Sequence, residues 1–183
     1  MKICRRRFNI YLAALLLAFP LCGCQSDKSS RKHPLSTFRL YQEMKADPMG
    51  RTEEASVFRD HPVTMTIDKA PFLTEANVQS AKVINDLGGF ALSIQFDRQG
   101  SWLLEQYTSA NRGKHILVFS QFVNPNEDKL NKGRWLAAPK IQNHISDGLL
   151  IFTPDASREE AEQVALGLNN VAKRLETGQD VKF

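Results

Sequence analysis

An apolar run near the start of the chain, closed by Leu21-Cys22-Gly23-Cys24, sets the first limit on the fold, because it marks where a folded part can begin. Lys2, Arg5, Arg6 and Arg7 precede it as a basic stretch, Ile10 to Leu21 form an apolar segment of about a dozen residues, and the small Gly23 stands before a cut, the order of a secretory signal. A membrane-spanning helix needs roughly 20 apolar residues. This run is shorter, carries Pro20, and gives way at once to the polar Gln25-Ser26-Asp27-Lys28-Ser29-Ser30. The expectation is a leader that is removed rather than a permanent span, and an ordinary signal for soluble secretion is one form that such a leader takes.

The spacing of Leu21 and Gly23 before Cys24 resembles the lipobox of bacterial lipoproteins. The resemblance implies that Cys24 becomes the first residue of the mature chain, bearing a thioether-linked diacylglycerol and an acylated amine. Each buried methylene contributes about 0.8 kcal/mol, so two or more acyl chains anchor stably, and the membrane is the first implied partner. Gln25 rather than Asp follows the cysteine, which in a bacterium with two membranes implies the periplasmic leaflet of the outer one. Cys4 and Cys22 lie in the leader, so with Cys24 modified none of the three cysteines can form a disulfide or a thiolate metal site within the mature protein. The fold must then be stabilised by its core. Lys2, Arg5, Arg6 and Arg7 also account for the whole formal charge of +4. The mature chain is formally neutral, and the pI of 9.0 gives no argument for nucleic acid.

The expected division is 1–23 signal peptide, 24–35 flexible tether, and 36–183 a single domain, about 160 residues with the leader gone, enough for one core. Phe38, Leu40 and Met44 at even spacing predict a strand, Lys45 to Glu54 with Asp47-Pro48-Met49-Gly50 a turn-rich connector, and Val63, Met65 and Ile67 a strand with one buried face. Thr74 is placed to cap a short helix through Asn85, with Ala76, Val78, Ala81, Val83 and Ile84 as its apolar positions, before Gly88-Gly89. Phe90, Leu92, Ile94 and Phe96 alternate as a strand. A helix is expected from about Gln99 to Arg112, with Leu103, Leu104 and Tyr107 on one side and Gly113 at its end. Ile116 to Phe119 fits a strand covered on both faces, and Trp135 to Ile141 and Leu149 to Phe152 are further extended segments. Ser157 with Glu160 forms a capping box for a closing helix whose apolar positions run from Ala161 through Val164, Ala165, Leu168, Val171 and Ala172 to Leu175. The fold class is α+β, a mixed or antiparallel sheet packed against two or three helices.

Three stretches, in order, resemble the periplasmic P1 head region of SecD, the export-translocase subunit. They are Lys69-Ala70-Pro71-Phe72-Leu73-Thr74-Glu75-Ala76-Asn77; Gly100, Leu104, Thr108, Asn111, Gly113, Lys114 and Ile116; and Ala138-Pro139-Lys140-Ile141 with Ile145, Gly148, Ser157, Glu160, Ala161, Ala165 and Leu168. The match spans 69–175. It departs from the family where Gln121 to Trp135 replaces a tight turn. The resemblance implies a stand-alone SecD-head-like lipoprotein with a protein or peptide partner in the envelope.

The residues themselves offer little chemistry. His33, His61, His115 and His144 do not occur at the spacings that bring two metal ligands onto one helix or turn. Asn124, Asn126, Asp128 and Gly133 fall short of a calcium loop, with the glycine misplaced and no closing glutamate. Ser120 lacks the Gly-x-Ser-x-Gly elbow, Gly88-Gly89 is a turn rather than a phosphate cradle, and Glu159, Glu160 and Glu162 match the dipole of the closing helix. No cofactor is expected. Trp102 projects away from the core side of its helix and is a candidate partner contact. Phe122 and Trp135, which flank the polar insertion, are weighed in the same way, packing being the competing reading for all three. The leading functional expectation is a lipid-anchored, non-catalytic accessory or binding module of the cell envelope contacting exported polypeptides or an envelope complex. A purely structural envelope lipoprotein and, behind it, an enzyme are the alternatives.

Overall fold

In a computed structural model of the protein, residues 34–122 and 133–181 are described, and all fall in one unit, His33–Phe183. Cys24, His33 and the stretch from Asn124 to Asp128 lie outside the described residues.

The described chain forms β1 (Thr37–Gln42), β2 (Thr52–Val57), β3 (Val63–Asp68), β4 (Leu73–Thr74), a single 3-10 turn (Glu75–Asn77), β5 (Val78–Asp86), β6 (Gly89–Phe96), α1 (Arg98–Ala110), β7 (Ile116–Gln121), β8 (Arg134–Ala137), β9 (Leu149–Phe152) and α2 (Arg158–Glu176). Three sheets result, ordered β4-β1-β7-β8, β2-β3 and β5-β6-β9. Every pairing within them is antiparallel. The α+β class holds, with antiparallel sheets and two α-helices among the described residues.

Strand β7 shows why a continuous apolar run suits a strand covered on both sides. Pairing with β1 sets Val118 opposite Leu40 and Leu117 opposite Tyr41. Phe38, Leu40, Ile116 and Val118 enter the main core with Leu92, Ile94, Phe96, Leu104 and Leu168. Tyr41 and Leu117 enter a second, smaller core closed by Ala55, Val57 and Ile67 of the β2-β3 hairpin. The four-stranded sheet is thus buried between the main core and the hairpin. Strand β2 was expected to be partly connector; its pairing with β3, from Thr52 opposite Asp68 to Val57 opposite Val63, makes it a strand throughout.

The helix expected from Thr74 to Asn85 does not form. Thr74 does cap, its hydroxyl accepting from Ala76 N–H and Asn77 completing a capping box, but the turn ends after Asn77. Val78–Asp86 is a strand paired with β6, with a bulge between Val78 and Ser80. Two causes decide it. The β-branched Val78, Val83 and Ile84 favour extended backbone, and the Asp86–Gly89 register leaves Leu87 and Gly88 as a two-residue turn in which Gly88 takes φ 86°, a conformation that costs glycine nothing.

The other two helices stand close to their expected bounds. Asp97 caps α1, its carboxylate accepting from Gly100 N–H at 2.6 Å. Ser157 and Glu160 form the capping box of α2. Ala161, Val164, Ala165, Leu168, Val171 and Ala172 are buried, whereas Leu175, at the end of the expected stripe, is 42% exposed. The segment between β8 and β9 runs along α1: Thr108 Oγ1 donates to Leu104 C=O at 2.7 Å and accepts from Ile145 N–H at 2.9 Å.

Candidate interaction surface

Helix α1 buries Gly100, Leu104 and Thr108. At 100° per residue Trp102 lies about opposite Leu104, and its side chain is 60% exposed, rare for so large an apolar group. The other two aromatic residues singled out with it are placed differently. Phe122 is 1% exposed within the main core, with the Arg134 guanidinium 5.3 Å from its ring centroid. Trp135 is half-buried against the second core, edge-on to Tyr41 at 5.1 Å and to Phe119 at 5.2 Å. Flanking a polar insertion therefore did not expose these two rings. Strands β7 and β8, which flank the insertion in the chain, pair with each other.

The structure does not bring the chemical candidates together. Among the described residues no group of three or more His, Cys, Asp or Glu is placed to hold a metal ion. His115 pairs with Glu43, Nδ1 to Oε2 at 2.7 Å, and donates its backbone N–H to the same oxygen at 2.8 Å. Burial would raise the Glu43 carboxyl, but these hydrogen bonds and nearby charges hold it below its ordinary value. Ser120 is wholly buried and its hydroxyl donates to Thr37 C=O at 2.8 Å, so it is committed to the fold. Glu160 accepts from Ser157 N–H at 2.8 Å and pairs with Arg134 at 2.6 Å.

One feature of this surface has no mark in the sequence. Phe58, directly after β2, has φ 70°, strained backbone for an aromatic residue. The next residue, Arg59, donates its N–H to Asp155 Oδ2 at 2.9 Å and its guanidinium to Oδ1 at 3.1 and 3.2 Å. Asp155 N–H in turn donates to Leu136 C=O at 2.6 Å. Asp155 so ties the hairpin to β8 and to the start of α2. Beside this junction lies a shallow cleft of about 180 Å³ between the ends of β8 and β9, walled by Phe58, Ala138, Pro139 and Phe152. Exposed Leu87, at the β5-β6 turn, and Ile151 add apolar surface on the same three-stranded sheet. Nothing in the composition around Phe58 foretells this, because the neighbouring tie joins Arg59 to a residue 96 positions away.

Among the described residues no helix is long and apolar enough to cross a membrane. A solved structure of SecDF, a membrane component that enhances protein export, aligns with a TM-score of 0.50 at 20% identity over 75% of this chain and 63% of its own. SecDF in its super-membrane-facing form aligns with a TM-score of 0.51 at 20% identity over 73% of this chain and 18% of its own. This chain therefore spans less than two thirds of either, and at that identity the likeness is one of fold. No curated protein matches the sequence. The model of the SecDF P1 head subdomain matches residues 52–172, from the β2-β3 hairpin to near the end of α2, and the chain belongs to that family.

Proposed function

We propose that this chain is a non-catalytic, lipid-anchored accessory module of the bacterial cell envelope that contacts exported polypeptides or the complex handling them. The family and the similar SecDF structures support a place in protein export. The single observation that carries a binding role is Trp102, which the fold leaves 60% exposed on the outer face of a well-packed helix. Exposed aromatic residues of this kind supply much of the energy of protein interfaces. Cys24 is the proposed lipid attachment, with 24–35 as tether and the periplasmic leaflet of the outer membrane as location. The second reading, a structural envelope lipoprotein, keeps the anchor and drops the partner.

One crosslinking experiment in whole envelopes separates them. Trp102→Ala should keep the melting temperature of the parent, because the ring has little packing to lose, and should remove a crosslinked envelope partner. Cys24→Ser, once its leader has been removed, should leave the membrane fraction. A stable Trp102→Ala protein with an unchanged crosslink pattern favours the structural reading. Persistence of fully processed Cys24→Ser as an integral membrane component sinks the anchor.

A further inference from the structure

Helix α1 carries a second stripe opposite its buried one. At 100° per residue Arg98, Trp102, Glu105 and Ser109 fall within about 60° of one another, at the alternating spacing of four and three by which one helix seats another. Arg98, Trp102 and Ser109 are exposed and Glu105 is half-buried. Among the described residues neither the Arg98 guanidinium nor the Glu105 carboxylate has a hydrogen-bond or ion-pair partner. From 99 to 111 Glu105 is the only charged residue, and Gln99, Gln106 and Ala110 complete the exposed side. Helix α2 is the contrast, since it shows Arg158, Glu159, Glu162, Lys173 and Glu176 to solvent. Few charges around an aromatic centre is the composition of an interface.

We infer that this face of α1 is a two-fold interface on which a second copy of the chain docks antiparallel, Trp102 against Trp102 and Arg98 of each copy against Glu105 of the other. The register selects that occupant. Arg98 stands about 6 Å along the helix axis on one side of Trp102, and Glu105 about 4.5 Å on the other. A two-fold axis through Trp102 therefore brings Arg98 of each copy level with Glu105 of the other to within about 1.5 Å along the axis, twice in one interface. Parallel docking sets Arg98 on Arg98 and Glu105 on Glu105, and like charges repel. A segment of an exported polypeptide carries no fixed pair of charges at this spacing, whereas every copy of this chain does. The two indole rings add offset stacking at the centre. The inference rests on the reading of Trp102 as an interface residue and names its partner, so that what meets exported polypeptides is a pair of copies. One helix face is a small interface, and the affinity expected is micromolar rather than nanomolar.

The test co-expresses two full-length copies with different tags, crosslinks whole envelopes lightly, captures one tag and quantifies the other. The parent should be co-captured. Trp102→Ala in both copies should lower the yield about tenfold or more. Arg98→Glu in both copies makes the contacts all acidic and Glu105→Arg in both makes them all basic, and each should lower the yield by about the same factor. Arg98→Glu in one copy with Glu105→Arg in the other restores opposite charges at both contacts, and should return the yield to within about twofold of the parent. Glu162→Lys, on the outer side of α2, should leave it unchanged. A carboxylate in the first turn of α1 is favoured by the helix dipole, and melting temperatures check that each variant is folded. Should Trp102→Ala not fold, the charge variants decide; should Glu105→Arg not fold, Glu105→Lys takes its place. Failure of the parent to be co-captured overturns the inference, as does parent-like yield from either charge variant alone, or a mixed pair that stays as low as they do. Loss of a different envelope protein from the Trp102→Ala crosslinks, with no co-capture of the parent, overturns the pair of copies and leaves the polypeptide-contacting reading standing. A parent that pairs in this way yet crosslinks to no exported polypeptide supports the inference and sinks that reading.

Discussion

Gly167 is the residue at which the start of the domain crosses its closing helix. Ser36, fully buried, lies so close that a Cβ on Gly167 would stand 2.7 Å from the Ser36 backbone nitrogen. The crossing is held by Ser36 Oγ donating to Gln163 C=O at 3.3 Å and Asn170 Nδ2 donating to Pro34 C=O at 2.9 Å. Alanine is the better helix former by about 1 kcal/mol, but overpacking against backbone costs about 1 to 3 kcal/mol. Gly167→Ala should therefore lower the urea midpoint, and a raised midpoint would mean that the entering segment can lift off α2. The sequence shows a glycine on a helical stripe and no more; what it faces is a residue more than a hundred positions away. The same holds for the aromatic residues. Helical spacing alone put Trp102 on the outer face, where the structure leaves it exposed, whereas Phe122 and Trp135 were ambiguous because their burial depends on which strands pair around the insertion.

Among the elements, α2 was the most legible, since its cap, its dipole-matched charges and its apolar spacing all point one way. Leu168 is fully buried and Glu162 exposed. Leu168→Ala should cost about 2 to 5 kcal/mol and Glu162→Ala less than about 0.5 kcal/mol, both from chemical denaturation; equal small effects would refute the assigned face. Strand β5 was the least legible. Its Ala81, Val83 and Ile84 fit helical and extended spacing alike, and the choice is made by the two-residue turn into β6 and by Asn169, which holds the outward edge of the strand against α2. A short apolar run does not contain that partner.

Across the whole molecule, the hairpin, β8 and α2 meet at Asp155 and Glu160, and acid should loosen that junction. Burial would raise both carboxyls. For Asp155 the hydrogen bonds from Arg59, with the charges of Arg59 and Arg134, prevail and lower it; for Glu160 Ser157 N–H and Arg134 do the same. A carboxyl lowered in the folded state contributes stability that is complete above its unfolded value, near 4, and is lost as pH falls through the folded one. The urea midpoint should thus fall from about pH 5 to 3, and Asp155→Asn should lie lower at pH 7 and show a shallower fall. Parallel curves for the two proteins would remove Asp155 from the account. The same junction separates local causes from long-range ones. The sequence by itself determined the α+β class, the last two helices, most strands and the head-region likeness, because caps, periodicity and turn residues act within a few positions of themselves. Only the tertiary structure decided that 78–86 is a strand, that Phe122 is core, that Phe58 takes a positive φ beside the Arg59–Asp155 tie and that Asn169 holds the β5 edge at Ala81, because each depends on hydrogen bonds and packing between segments far apart in the chain.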